Sequence, residues 1–409
     1  LRHRGVDVTL VELAGQIMPP LDQEMARDLQ YHLEYHGVQL KLGTAAIGFT
    51  DDKGKVNVSL NDETTLSADL VLLAVGVRPD VKLARHAHLT LGPCGGIEVN
   101  ANMQTSDVNI YAAGDVVEVK DTITGNQELI ALAGPANRQG RIAAEHILGR
   151  SSVYTTTQGT AIVKVFEMTG AVTGASEKSL KQLNIAYCKI YIHPSGHASY
   201  YPGSTSMHIK LLFSPDDGRI LGAQVVGYDG VDKRIDVFAT ALRADMTVYD
   251  LEALELAYAP PYGSAKDPVN MAGFVAANLL KGDVNFWYAE DYPQSMKGSL
   301  IIDVRSQGEY QVWHIPEAIN IPLGQLRAQL ASLPKDKPIF VYCRVGFRSY
   351  LAYRILVQSG FNQVKTLAGG SKTFCSFHRT SLCTGRPGIP FVAHAEEQLA
   401  EQAITANCS

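Results

Sequence analysis

Cysteine is scarce in this chain: six in 409 residues, at irregular spacing. That excludes a small secreted scaffold stapled by disulfides and points to a reducing compartment, so the cytoplasm is the expected location. Long apolar runs are missing too. No window approaches the roughly eighteen unbroken apolar residues of a membrane-spanning helix, so no membrane partner is expected. Neither sign of charge dominates: 36 Lys and Arg stand against 41 Asp and Glu, a formal net charge of −5. This leaves no basic footprint for nucleic acid. Internal repeats and low-complexity tracts are absent. What is present is length and an ordinary globular composition, 46% hydrophobic and 19% charged. A chain of this size exceeds one core, so two to four are expected.

The chain opens on Leu1-Arg2-His3-Arg4-Gly5, which reads as the last turn of a helix with its glycine cap. A sequence entering inside a helix is expected to be a fragment whose front, with any targeting signal, lies upstream. A strand at Val6–Glu12, a helix from Asp22 to His36, and strand-like runs at Val38–Leu42, Lys55–Leu60 and Ala68–Val75 follow. Their alternation indicates an α/β region. The theme repeats in a strand ending at Asp115 and a helix from Pro135 to Leu148. From Thr155 the pattern changes to strands without intervening helices, at Ala161–Thr169, Ala186–His193, Met207–Phe213 and Ile220–Gly227. Two helices then follow, Lys233–Ala244 and Val248–Leu256, which makes an α+β unit. Asn285–Gly298 lacks a clean period and reads as a linker. Ser299–Gly385 forms a compact α/β unit, and the polar tail after it is expected to fray.

An acid closing a nucleotide-domain strand can accept both ribose hydroxyls of NAD, and Glu12 stands where that acid belongs. No arginine occupies Leu13 to Ile17 to receive a 2′-phosphate, so NADH is favoured over NADPH. Leu72-Leu73-Ala74-Val75-Gly76-Val77-Arg78-Pro79-Asp80 resembles the segment by which flavin-dependent pyridine-nucleotide disulfide reductases leave their NAD domain. Thr105–Asp115 resembles their second flavin motif. Small residues up to Gly114 let backbone close on the flavin, and Asp115 offers a carboxylate to a ribityl hydroxyl. The helix opening around Ala133-Gly134-Pro135 has proline in its first turn, and its free N–H groups form an anion site. The resemblance implies an FAD and NAD site containing Glu12, Gly76, Gly114, Asp115, Ala133 and, from further along the chain, Tyr258. It also implies that Asn137 and Arg138 reach coenzyme A.

The string Leu256-Ala257-Tyr258-Ala259-Pro260-Pro261-Tyr262-Gly263-Ser264-Ala265-Lys266-Asp267-Pro268 narrows the resemblance. It looks like the coenzyme A disulfide and persulfide reductase branch, where tyrosine replaces the histidine acid of general disulfide reductases. The resemblance implies catalytic Tyr258 with Tyr200 as its partner (Tyr201 being the adjacent alternative) and a coenzyme A-contacting Lys266. A phenol of ordinary pKa about 10 stays protonated at neutral pH and can protonate a leaving thiolate.

Ile301–Arg305 and Trp313–Pro322 resemble the first half of a rhodanese domain, with Trp313 and Glu317 standing where glycines are usual. The second half carries Ile339-Phe340-Val341-Tyr342-Cys343-Arg344-Val345-Gly346-Phe347-Arg348-Ser349. Here a buried-type strand delivers Cys343 into a tight loop before a helix that starts near Ser349. Backbone N–H groups, with Arg344 and Arg348 beside them, would stabilise a thiolate or persulfide anion. The phosphatase version of such a loop is one residue longer, and four residues separate Cys343 from Arg348. Cys375, His378 and Cys383 fit no standard metal-ligand spacing, so no metal site is expected. Cys94 and Cys188 read as packing residues and Cys408 as part of the tail.

The expected fold is α/β: part of a two-dinucleotide-binding-domain FAD/NAD disulfide reductase, an α+β dimerisation domain and a C-terminal α/β rhodanese domain. The expected spans are the NAD-binding part at 1–78, the FAD-binding part at 79–152, dimerisation at 153–284, linker at 285–298, rhodanese at 299–385 and tail at 386–409. The resemblance implies reduction of coenzyme A persulfide, polysulfide or disulfide by NADH and FAD in a homodimer. Small sulfur compounds would be further substrates of Cys343. An NADH oxidase relative with a regulatory rhodanese, and a chain with sulfurtransferase activity alone, remain alternatives.

Overall fold

The computed structural model describes residues 1–378, so the expected tail, Cys383, Cys408 and the rhodanese boundary at Gly385 lie outside the described residues. The opening turn is a 3-10 turn, Arg2–Arg4, closed by Gly5 at φ 76°. Strand β1 (Thr9–Glu12) then pairs in parallel with β2 (Gln39–Leu42) across helix α1 (Gln23–Tyr35). Met25, Ala26 and Leu29 lie one turn apart or less on α1 and are buried against Ile17 and Leu21 and, from the next unit, Val172 and Val226. An antiparallel meander follows, β3 (Ala46–Asp52), β4 (Lys55–Leu60) and β5 (Thr65–Ala68). Its first strand escaped the sequence reading because Ile47 and Phe49 face solvent rather than a core.

The strand expected at Ala68–Val75 does not form. Regular structure ends at Ala68, and Leu70, Leu72, Leu73 and Val75 are exposed, Val75 to 90%. The run is apolar enough for a buried strand, but among the described residues no neighbouring strand pairs with it. After α2 (Lys82–His86) comes a three-stranded sheet of β6 (Ile97–Glu98), β7 (Val117–Lys120) and β8 (Gln127–Leu129), then α3 (Ala133–Ile147). The strand expected to end at Asp115 is reduced to one bridge between Gln104 and Tyr111; the ladder begins after Gly114, at Val117.

The second unit is a five-stranded antiparallel sheet ordered β11-β12-β13-β10-β9, from β9 (Ala161–Val165), β10 (Met168–Gly174), β11 (Cys188–Ile192), β12 (His208–Phe213) and β13 (Ile220–Gly227). The single strand read at Ala161–Thr169 is a hairpin that turns at Phe166, φ 51°. Helix α4 (Glu177–Gln182) follows β10, and α5 (Val231–Arg243), α6 (Val248–Ala253) and α7 (Pro268–Leu280) follow β13. Helix α7 was not foreseen, although its start is written in Asp267-Pro268. Asp267 caps it by accepting from Val269 N–H, and Pro268 fills the first turn.

The third unit is an all-parallel sheet ordered β14-β18-β17-β15-β16: β14 (Phe286–Trp287), β15 (Leu300–Asp303), β16 (Ile319–Asn320), β17 (Ile339–Tyr342) and β18 (Val364–Leu367). Helices α8 (Gln307–Val312), α9 (Leu323–Gln329), α10 (Phe347–Gln358) and α11 (Gly370–Phe377) accompany it. The linker expected at 285–298 is instead part of this unit. Phe286 and Trp287 form its edge strand, and the Trp287 indole is buried and donates to the Val341 carbonyl. Glu317, where glycine is usual, sits at φ 68°, a region that glycine enters with least strain.

A buried charge network joins the three units. The Lys210 ammonium on β12 is fully buried and lies 2.8 Å from Asp22, 2.6 Å from Glu24 and 2.6 Å from Glu177. Lys189 on β11 pairs with Glu177 at 2.8 Å and with Glu290, between β14 and β15 of the third unit. Burial raises the Glu24 carboxyl, but the Lys210 charge overrides this and holds it below its usual range. Burial likewise opposes the charge on Lys210, and the three carboxylates push its pKa above the ordinary lysine value. Lys210→Met should therefore destabilise the protein by about 3–5 kcal/mol, because it strands buried carboxylates without a counter-charge. Urea unfolding measures this, and adding Glu24→Gln should restore part of the loss.

Candidate functional site

Cys343 follows directly on β17 and is only 1% exposed. The loop closes at Gly346, whose N–H donates to Cys343 Sγ at 3.2 Å, and α10 starts at the next residue. Gly346 stands at φ 105°, which a side chain would strain, so the N–H that meets the sulfur depends on glycine there. A second helix holds the loop from below. Ser371 N–H donates to the Cys343 carbonyl at 2.8 Å and Lys372 N–H to the Arg344 carbonyl at 3.0 Å, both from the first turn of α11. A Cβ on Gly370 would come within 2.6 Å of both carbonyl oxygens, so this grip also needs glycine.

Arg348 does not stand free beside the sulfur. Its guanidinium makes two parallel 2.7 Å bonds to Glu309, whose carboxylate also accepts from Ser306 N–H and Oγ at 3.0 Å. Burial raises the Glu309 carboxyl, but the bonds and charge of Arg348 outweigh it and bring the pKa to about 2. Arg344 is half-buried. The Gly346 N–H thus bonds the Cys343 sulfur directly, while Arg348 is held by Glu309. Glu309 was missed in the sequence, though Ser306-Gln307-Gly308-Glu309 spells a capping box, which the structure forms. Gly369-Gly370 and the α11 start were also missed.

Tyr200 and Tyr258, 58 residues apart, share a hydrogen bond of 3.2 Å between their hydroxyls. Both are exposed, 74% and 48%, and the bond raises the Tyr258 pKa, so its phenol keeps the proton at neutral pH. Tyr201 turns its ring edge to His197 instead. The loop after Tyr258 is pinned at Asp267, which takes the buried Arg234 guanidinium at 2.9 Å. Lys266, next to this anchor, points to solvent.

Apart from Lys266 and Tyr258 in the second unit, the residues nominated for nucleotide and coenzyme contact lie on the first unit. Glu12 ends β1, and one carboxylate oxygen accepts from Ala14 N–H at 2.8 Å. Gly76 lies in the exposed segment after β5, with φ 90°. Gly114, at φ 86°, donates its N–H to buried Gln139 at 2.7 Å, which sets the Gly114-Asp115 turn against α3. Asp115, the next residue, is exposed, and the N-terminus of α3 carries no side-chain cap. Ala133 begins the helix, Asn137 is exposed on it, and the Arg138 guanidinium lies 5.9 Å from the Tyr154 ring centre. Arg138, with Gly134 and Pro135, also borders an open cleft of about 680 Å³ walled by Thr156, Gln158 and Arg243.

Three family models match: pyridine nucleotide-disulphide oxidoreductase over residues 1–140, the dimerisation domain of that family over 160–268, and a rhodanese-like domain over 288–376. The chain is 36% identical over 283 residues to an NADH oxidase of Methanocaldococcus jannaschii and 34% identical over 280 residues to a coenzyme A disulfide reductase of Staphylococcus epidermidis. Each match covers 68% of this chain, and the chain spans 62% of the length of these curated relatives. Among solved structures, reduced CoADR-RHD of Bacillus anthracis superposes with TM-score 0.89 at 46% identity, over 92% of this chain and 67% of that one. An NAD-dependent persulfide reductase from A. fulgidus gives 0.83 at 37% identity, over 90% and 67%.

The Arg348–Glu309 pair sets an acid limit. A carboxyl depressed by folding contributes stability above its unfolded pKa, and the contribution disappears as pH falls towards the folded value. Between pH about 4.5 and about 2 the third unit should therefore weaken. The two tryptophans, Trp287 and Trp313, both lie in this unit, so their fluorescence reports it selectively. Glu309→Gln should flatten the acid dependence of its urea midpoint.

Proposed function

Because this chain belongs to the pyridine nucleotide-disulphide oxidoreductase family, we propose that its protein uses NADH and FAD to reduce coenzyme A persulfide, polysulfide or disulfide, and that Cys343 carries sulfane sulfur in the same cycle. The observation that carries the sulfur step is the Cys343 loop, a cysteine before a helix N-terminus with a glycine N–H on its sulfur. There the Cys343 thiolate attacks the outer sulfur of a persulfide or thiosulfate. A Cys343–S–S bond forms, the donor's S–S bond breaks, and the thiolate or sulfite leaves with the bonding pair. Charge on the new persulfide is met by the loop N–H groups, while the exposed Val345 and Phe347 give donor thiols an apolar rim.

The cofactor side fits the same reading. The uncapped start of α3 and the positive-φ turn at Gly114, bonded to Gln139 of that helix, would offer a flavin backbone N–H groups, with Asp115, Ala133 and Gly76 as further contacts. Bound there, FAD would supply the hydride relay between NADH and a disulfide sulfur. Tyr258, kept protonated by Tyr200, would hand a proton to the leaving thiolate. Asn137, Arg138 and Lys266 would meet the coenzyme's phosphates, and Arg344 and Arg348 the sulfur donor's anion. The dimerisation match supports a homodimer.

In the full-length protein, NADH should outperform NADPH in kcat/KM, since Glu12 repels a 2′-phosphate, and Glu12→Ala should narrow the ratio. Equal efficiencies in the unmodified protein contradict the assignment. For sulfur transfer, Cys343→Ser should lower thiocyanate formation from thiosulfate and cyanide by at least about 100-fold, because a hydroxyl neither attacks well nor holds a stable persulfide. Arg348→Ala should reduce it less.

A further inference from the structure

Away from both sites, the last turn of α1 carries His32, and His36 caps the helix one turn further on, which leaves both rings on the same side. The β9–β10 turn brings Glu167 to them. A single oxygen, Glu167 Oε2, lies 3.1 Å from His32 Nε2 and 2.9 Å from His36 Nε2. One ligand atom from each of the three residues falls within 4.8 Å of the other two. Hydrogen bonding explains only part of this convergence. The His32–Glu167 contact has hydrogen-bond geometry, whereas His36 Nε2, though close to the same oxygen, is a buried nitrogen without a hydrogen-bond partner.

The rings are held in place from outside. Phe166 stacks on His36 at 3.9 Å between ring centres, and Tyr228 meets His32 edge-on at 5.6 Å. Asp22, Glu24 and Glu177 also converge, but there the Lys210 ammonium already supplies the cation. Among the described residues, the ion-pair contacts of Glu167 are to the two imidazoles alone.

We propose that His32, His36 and Glu167 bind one divalent transition-metal ion of the zinc class. Two imidazole nitrogens and a carboxylate are ligands that such an ion accepts, and the half-exposed Glu167 (57%) leaves the fourth position open to water. The ion ties the C-terminal end of α1 to the β9–β10 hairpin and so staples the first unit to the second. No spacing in the sequence announced it, because the third ligand lies 131 residues beyond His36.

The test is titration of the chelator-stripped full chain with Co²⁺, followed by displacement with Zn²⁺. The expected result is one equivalent with visible d–d bands and no thiolate-to-metal charge-transfer band, displaced by Zn²⁺. His36→Ala and Glu167→Gln should each bind one ion fewer. Zn²⁺ should raise the Tm of the unmodified protein and leave that of Glu167→Gln unchanged. Glu167 sits on an exposed turn, so this variant stays folded if its metal-free melt matches that of the parent. Charge-transfer bands from thiolate ligands, undiminished binding in the variants, or no binding to the unmodified protein would each overturn the site.

Discussion

An ammonium buried with three carboxylates tolerates little displacement. Removed from water, Lys210 depends on Asp22 and Glu24 at the start of α1 and on Glu177 at the start of α4. Lys189 extends the constraint to Glu290 and thus to the entry of the third unit. Tyr191 adds a 2.6 Å bond to Glu24, and Gln224 exchanges two bonds with Asp22. Helix α1 is thereby docked on the central sheet by polar as well as apolar contacts.

The same surface of that sheet reaches the Cys343 loop. His193 and His208 stack at 4.2 Å. Thr373 of α11 bonds His193 at 2.8 Å, while Asp28 of α1 takes both His208 and Ser376 at 2.8 Å. Burial, with the neighbouring His208 next, holds the His193 pKa well below its usual range, so this contact stays neutral at physiological pH. Since the first turn of α11 grips the backbone of Cys343 and Arg344, the loop is anchored through one helix to the central sheet and α1. A preorganised cradle suits an anion because its N–H groups need no rearrangement when charge arrives.

Legibility in the sequence followed locality. The helix at Asp22–His36 and the strands at Met207–Phe213 and Ile220–Gly227 declare themselves through periodicity, and Cys343 through the strand–loop–helix order around it. Elements that depend on distant partners were misread. Ala68–Val75 is apolar but finds no neighbouring strand among the described residues, whereas Phe286–Trp287 looks irregular and is completed by pairing with β18. The run Cys188–His193 alternates Lys189, Tyr191 and His193 with Ile190 and Ile192, the pattern of a strand with one wet face. The structure covers that polar face with α1, α4 and α11, which meet Lys189 and Tyr191 with carboxylates and His193 with the Thr373 hydroxyl. At the site, Tyr200 and Tyr258 were found from motif resemblance and do meet, while Glu309 went unnoticed because its role is to hold another residue.

On this reading the Cys343 loop, with a glycine N–H on its sulfur and a helix starting beside it, is built to carry sulfur. Mass spectrometry of the Cys343 peptide, after the folded chain is treated with thiosulfate or a small persulfide and digested without reductant, tests it most directly. The expected result is a gain of one sulfur atom on that peptide, lost again on treatment with cyanide or a thiol. No added sulfur on Cys343, together with turnover of a phosphate ester by the same preparation, would contradict it.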